Sequence, residues 1–384
     1  VAVADIPVPI VRRMAPLTAG HAAVDFTQGA LPALIPLLND RLSLSYTQSG
    51  ALILALTFAS TITQPIFGLL ADRVGLLWVL PASVAASGIG LGLATQATTY
   101  PLLLAAILVS GLGIAAYHPE GARVASALSG PLRARGMAVF SVGGNFGFAL
   151  GPYSAGLITA AFGLAGGALL VVPAALVSVA LLVLLPRLHE SAGSAAAGPS
   201  RTGPDRPRAL VLLLAGVTLR GYVFFGLLGF VALYEENVRG NAHTRSTLLL
   251  TLLLAAGAVG TLVMGRLADQ FGIRRSMVVS FVLVGPLVAV YVLDDGLVGA
   301  AALVLAGGAL VSTFSLSVVL SQAYLPSRAS TAAGLGFGLS IGLGGMLAPV
   351  VGWIADSFSL EAALLSCAVV AVVGAGVTAL MPDE

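Results

Sequence analysis

The sequence predicts an all-α membrane protein of twelve transmembrane helices, arranged as two pseudo-symmetric six-helix bundles. Three observations predict it. The 384-residue chain is 58% hydrophobic and only 9% charged, with a mean hydropathy of +1.02. A soluble domain carries about a quarter charged residues, so this chain cannot coat a globule of its size. Apolar runs of helix length recur along it, and its two halves repeat one another. Disordered, collagenous and disulfide-scaffold classes fail on the same composition.

A bilayer core of about 30 Å takes about 20 apolar residues per helix. Runs of that kind fall at 16–38, 49–70, 76–96, 100–122, 134–162, 165–186, 209–234, 246–267, 276–293, 297–322, 330–355 and 360–381. Period-two alternation does not run through them, which argues against a β-barrel. The N-terminal stretch does not read as a clean signal peptide, because Pro7, Pro9 and Arg12-Arg13 lead straight into a full-length span.

Arginine placement sets the orientation. With both ends in the cytoplasm, the inside segments hold Arg12, Arg13, Arg73, Arg123, Arg133, Arg135, Arg187, Arg201, Arg206, Arg208, Arg266, Arg274, Arg275 and Arg328. The outside loops hold Arg41, Arg239 and Arg245, with Asp40, Glu235, Glu236, Asp294 and Asp295, and Arg220 lies inside a span. This predicts a multi-pass protein of the inner (cytoplasmic) membrane with both termini cytoplasmic. Residues 187–208 are rich in Ala, Gly, Ser, Pro and Arg, a flexible linker composition. They divide an N-terminal six-span half (1–186) from a C-terminal one (209–384).

The halves look related. Gly68-Leu-Leu-Ala-Asp72-Arg73-Val-Gly75 matches Gly265-Arg-Leu-Ala-Asp269-Gln-Phe-Gly272, 197 residues later. At that offset Gly147, Gly151 and Pro152 fall on Gly344, Ala348 and Pro349, and Gly111 falls on Gly308. A constant offset at several places is a repeat. Duplicated helix bundles are a transporter architecture, with the substrate near the bilayer midplane.

Other chemistry is pruned by absence. Every basic residue is Arg, which excludes a Walker A lysine and a Schiff-base lysine. The lone Cys367 permits no intrachain disulfide and no thiolate cluster for a metal. No nucleophile–base–orienter set emerges, so the chain is not read as an enzyme, and no cofactor or metal is expected. Scattered arginines without interleaved aromatics argue against nucleic acid. The expected partners are a small-molecule substrate, protons and the lipid bilayer, and a monomer suffices.

The Asp-centred loop, Gly68-x-Leu-Ala-Asp72-Arg73-x-Gly75, resembles the signature loop of the major facilitator superfamily, with a second copy ending Gly272-Ile-Arg274-Arg275. Span count, linker and both loop copies extend the resemblance over the whole chain. It implies the major facilitator fold and a gating role for Gly68, Asp72, Arg73 and Gly75, and for Gly265, Asp269 and Gly272. A narrower set of segments is similar to the fosmidomycin-resistance branch: Gly20-His-Ala-Ala-Val-Asp25-Phe-Thr-Gln28-Gly, Tyr117-His-Pro-Glu-Gly-Ala-Arg123 and Ser141-Val-Gly-Gly-Asn145-Phe-Gly. That branch implies proton-driven export of a phosphonate antibiotic or other anionic or amphipathic compounds, by alternating access. The fourth span departs from many drug/proton antiporters of the superfamily: their arginine position is Ile107 here. Proton coupling must then use other groups.

The residues themselves offer those groups. An ionisable side chain at mid-bilayer costs about 2.5–3.5 kcal/mol on insertion scales, so spans that carry one usually face a cavity. His21 and Asp25 are four apart and share a helix face; His118, Glu120 and Arg123 reach a similar depth on the fourth span. Pro119 should kink that helix. We read Asp25 and Glu120 as proton carriers, with His21 and His118 as relays. Burial disfavours the charged carboxylate and a nearby Arg or His⁺ opposes that. The alternative for His118 and Glu120 is a solvated interface position.

Arg220 is the candidate substrate anchor, because guanidinium grips phosphonate or carboxylate in a bidentate fork. Its alternative is an ion pair with Asp25 or Glu120. Arg123, Tyr117, Tyr222, Gln28, Asn145 and Gln322 are further candidate substrate-binding residues, with Tyr117, Tyr222 and Gln322 as cavity wall. The counterparts of His21, Asp25, His118, Glu120 and Arg123 in the second half are Thr218, Tyr222, Ser315, Ser317 and Leu320, which places coupling in the first half. Glycines at 143, 147 and 151, and at 334, 338 and 342, suggest sliding faces against the other half, with Pro152 and Pro349 bending their helices. A carboxylate or organophosphate importer or exchanger, and a lipid flippase, are the rival functions.

Overall fold

The computed structural model describes residues 8–74, 77–129, 132–191, 204–326 and 340–382. Among these the regular structure is helical throughout. The elements are α1 (Val8–Leu42), α2 (Tyr46–Thr57), α3 (Gln64–Val74), α4 (Val79–Gln96), α5 (Tyr100–Ser129), α6 (Arg133–Gly166), α7 (Val171–Ser191), α8 (Pro207–Asn237), α9 (His243–Phe271), α10 (Ile273–Leu293), α11 (Leu297–Tyr324), α12 (Ser340–Met346), α13 (Ala348–Ser357) and α14 (Leu360–Ala379). Each expected span coincides with helix, the eleventh in its described part only. Among the described residues nine segments are long and apolar enough to cross a membrane. The first span is not one of them, because Thr18, His21, Asp25, Thr27 and Gln28 dilute its apolar run.

Three breaks interrupt the helices. The second span joins α2 to α3 through a π-helical turn, Phe58–Ile62. The α6–α7 pair is broken at Gly163, whose φ of 67° is the left-handed region open to glycine; Pro152, expected to bend this helix, sits buried within it upstream of the break. The eleventh span is interrupted at Leu347, and Pro349 follows in the first turn of α13, where its missing N–H leaves no bond unmade.

Two compact units emerge, Val1–Leu34 with Phe58–Ala197, and Ile35–Thr57 with Gly198–Glu384. The first unit ends at Ala197 and the second resumes at Gly198. The chain also passes between the units at residues 34–35 and 57–58, the latter where α2 gives way to the π-turn. The segment 35–57 therefore belongs with the second unit.

In the first unit, α6 lies directly on α1. Added Cβ atoms at Gly143, Gly147 and Gly151 would strike Thr18, Ala22 and Phe26. This ladder, expected to face the other half, is a close-packing seam inside its own unit. Of the second ladder, Gly334 and Gly338 lie outside the described residues. Leu176 and Val183 of α7 are 67% and 73% exposed, as lipid-facing side chains should be.

In the second unit every residue of α8 from Arg220 to Glu235 is buried. A helix buried all round is a core helix. Its early turns pack with α9, α10 and α11 in an apolar cluster that includes Leu213, Val217, Met264, Met277, Leu320 and Tyr324. At its far end Glu235, fully buried, binds Arg239 at 2.8 Å, the Tyr291 hydroxyl at 2.8 Å and the Asn241 amide at 2.7 Å. Asp356, near the end of α13, accepts the backbone N–H groups of Tyr46 and Thr47 at 2.8 Å each and the Thr47 hydroxyl at 2.6 Å. It thereby caps the start of α2.

Candidate functional site

In the first unit, α1, α5 and α6 bring His21, Asp25 and His118 together. The helical spacing of four sets His21 Nε2 3.2 Å from Asp25 Oδ2 on the same face of α1. From α5, His118 Nε2 comes within 3.3 Å of Asp25 Oδ1, at ion-pair distance but off hydrogen-bond alignment. The imidazoles meet edge to face, 5.1 Å between centroids. All three side chains keep some exposure, 11% for His21, 16% for Asp25 and 22% for His118, so the cluster is recessed but reachable.

Both rings are fixed from behind. His21 Nδ1 lies 2.9 Å from the Phe140 carbonyl on α6, and His118 Nδ1 lies 2.7 Å from the Ile114 carbonyl one turn back on α5. A carbonyl oxygen only accepts, so each Nδ1 must carry its proton. Each neutral ring then turns a bare Nε2 lone pair toward the carboxylate. Three acceptors facing one another are stable only with a cation among them. Their ligand atoms all lie within 4.8 Å of one another, close enough to share protons or to hold a metal ion.

Tyr117 and Gly144 hold the cluster in shape. The fully buried Tyr117 donates its hydroxyl to the Leu17 carbonyl at 2.6 Å, tying α5 to α1. It is thus a positioning residue rather than the cavity wall expected. Gly144 of α6 approaches so closely that a Cβ there would sit 2.5 Å from Asp25 Oδ2 and 2.6 Å from the His21 ring.

Glu120 is not part of this cluster. It is 1% exposed and gripped by Arg123 through Nε to Oε2 at 2.9 Å and Nη2 to Oε1 at 2.6 Å. The i,i+3 spacing explains the pair. Glu120, read as a second proton carrier, and Arg123, read as a substrate contact, therefore occupy one another. α5 continues as helix through Pro119.

In the second unit Arg220 is fully buried on α8. Its Nη1 donates to the Thr313 carbonyl at 2.9 Å and to the Ser317 hydroxyl at 3.1 Å on α11. Its guanidinium lies over the Phe314 ring, 3.9 Å from the centroid. None of the ion pairs among the described residues includes Arg220. Among the described residues its Nε and Nη2 have no hydrogen-bond partner. Each buried unmade donor costs about 1–3 kcal/mol, and more when charged.

The remaining candidates are placed as follows. Tyr222 shares a 2.7 Å hydrogen bond with Ser366 of α14. Gln28 and Gln322 are half-buried and Asn145 is exposed; among the described residues none bonds to either cluster. Gly68 of α3 lies beside Pro119, 3.7 Å from an added Cβ. Asp72 and Arg73 fall on the last turn of α3, with side chains outside the described set, and Gly75 lies outside the described residues. In the second loop copy Asp269 is exposed, an added Cβ at Gly265 would meet nothing, and Gly272 makes the joint between α9 and α10 with φ of 88°. Arg274 after it binds the Ala379 and Met381 carbonyls at 3.1 Å, closing the C-terminal end of α14.

Sequence reasoning missed Phe140, Gly144, Thr313 and Phe314. The repeat was the available signal for one of them, Phe314. At the 197-residue offset, Phe314 is the counterpart of Tyr117 and Ser317 that of Glu120. The same helix pair thus builds a buried polar site in each unit, acidic with histidines in one and cationic in the other.

A sequence profile of the Major Facilitator Superfamily matches residues 17–349 and 242–384. The chain belongs to the major facilitator superfamily. It is a multi-pass membrane transporter of small molecules. It is 30% identical to the fosmidomycin resistance protein of Escherichia coli (strain K12) over 375 residues, 96% of this chain and 92% of that one. It is 29% identical to the MFS-type transporter YfnC of Bacillus subtilis (strain 168), over 92% and 89% of the two chains. Among solved structures, a bacterial homologue of the human lysosomal transporter Spinster superposes with a TM-score of 0.81 over 96% of each chain, at 17% identity. That likeness supports the fold alone.

Proposed function

We propose that this chain is a proton-coupled exporter, an antiporter of the inner membrane with both termini in the cytoplasm, working by alternating access. The observation that carries the reading is the His21–Asp25–His118 cluster. With each Nδ1 committed to a carbonyl, the two Nε2 atoms and the carboxylate form one proton-binding unit. One protonated ring gives a charge-assisted contact to Asp25 and cancels its charge; a second proton leaves the group with one net positive charge. Loading and unloading this unit from opposite sides of the membrane would carry protons inward as cargo leaves.

The cargo is a small anionic or amphipathic compound. The relative that confers fosmidomycin resistance makes that phosphonate the first compound to try.

The test is proton flux in energised everted vesicles, with a chelator present and lumenal pH read by a quenching dye. Fosmidomycin should release lumenal protons from vesicles with the natural chain and not from vesicles with Asp25→Asn. Equal release from both would overturn the assignment to this cluster. Silence with fosmidomycin and release with another organic anion would change the cargo and keep the mechanism.

A further inference from the structure

Arg123 and Arg220 carry the same side chain in two states of occupation. Arg123 uses one edge of its guanidinium, Nε with Nη2, to hold both oxygens of the Glu120 carboxylate at 2.9 and 2.6 Å. On Arg220 that same pair of atoms has no hydrogen-bond partner among the described residues, although the side chain is fully buried. The rest of Arg220 is fixed. Nη1 is held by the Thr313 carbonyl and the Ser317 hydroxyl, and the ring of Phe314 lies against one face of the plane. The guanidinium is therefore oriented, with one two-donor edge left over.

We infer that the Nε–Nη2 edge of Arg220 is a binding site for one two-oxygen anionic group, the carboxylate or phosphonate of the transported compound. Two parallel N–H donors match two oxygens of one group, as Glu120 demonstrates on Arg123, whereas a one-atom anion meets them poorly. Phe314 and the Nη1 bonds set the plane in which that group must lie. The inference rests on the transporter reading for its cargo, but the site is defined by its donors alone.

Binding to the purified chain in detergent at fixed pH tests it, with no gradient present, so a failure here is separate from a failure of proton coupling. The probes are methylphosphonate, acetate, chloride and the neutral dimethyl ester of methylphosphonate. Methylphosphonate and acetate should bind and compete for one site, and chloride and the ester should not displace them. Arg220→Lys keeps the charge and removes the fork, so it should weaken both anions by about tenfold or more. Ser317→Ala, which leaves the Nε–Nη2 edge intact, should fold normally and weaken them less than Arg220→Lys. Absence of competition in the natural chain would overturn the site, whatever the variants do. So would equal affinity in a folded Arg220→Lys protein, or displacement by chloride as effective as by acetate.

Discussion

His118 on α5 stands 3.3 Å from Asp25 on α1, and its other ring nitrogen is fixed to Ile114. The contact joins two helices through a group whose charge depends on a proton. Asp25→Asn removes the carboxylate and keeps the shape. It should lower proton affinity of the cluster by about tenfold or more, one such step being about 1.4 kcal/mol. Proton-driven transport should fail while cargo exchange without a gradient persists. Measuring both fluxes in the same vesicles checks it; retained proton-driven uptake would show that Asp25 does not carry the coupling.

Gly144 gives a second handle on the same cluster. An added methyl there would press on Asp25 Oδ2 and the His21 ring, 2.5 and 2.6 Å away. Both are side-chain ends, but His21 is held by Phe140 behind it, by a hydrogen bond and by ring stacking at 4.2 Å. Gly144→Ala should therefore cost about 1–3 kcal/mol of stability and separate His21 from Asp25. The expected readout is a shifted pH dependence of transport with folded protein in the membrane. An unchanged pH profile would mean the pair relaxes without consequence.

The helical spans were legible in the sequence, because a bilayer demands apolar runs of fixed length whatever packs around them. His21, Asp25 and His118 were legible too, as ionisable groups in apolar runs. Spacing could not say which acid meets which base. Glu120 and Arg123 are three residues apart and satisfy one another, and nothing in their spacing excluded the more interesting roles. Gly144 was hidden because its meaning is a neighbour 119 residues away, and the glycine ladder beside it packs on α1 rather than across halves. Asp356 was silent for the same reason: its partners lie more than 300 residues earlier.

Glu235 should matter to folding rather than to transport chemistry. It is fully buried, and Arg239, Tyr291 and Asn241 converge on it. Arg239 also reaches the carbonyls of Tyr291 and Asp294, which ties the ends of α8 and α10 together. Removing one partner of a buried pair leaves the other uncompensated, at about 3–5 kcal/mol. Glu235→Ala should lower the unfolding temperature in detergent well below that of Glu235→Gln, which keeps the side chain's shape and one acceptor oxygen. Equal unfolding temperatures for the two variants would show that the side chain's shape and uncharged hydrogen bonds contribute nothing at this site.

Asp356 predicts a pH dependence of stability. Partial burial pushes its carboxyl upward, but the bonds from Thr47 and Tyr46 outweigh that and hold it below the ordinary carboxylate value. A group whose value is lowered on folding stabilises the folded state above its unfolded value, about pH 4, and loses that contribution as pH falls through the folded value. The carboxylate is favoured where it sits, against the first N–H groups and the positive dipole end of α2. Asp356→Asn should therefore destabilise the chain near neutral pH by an amount typical of a lost cap, about 0.5–2 kcal/mol and toward the low end for an exposed group. The difference from the natural chain should shrink as pH is lowered toward 3. Thermal unfolding of both proteins across pH 3–8 measures it, and a difference that stays constant over that range would show that the cap does not depend on the charge of Asp356.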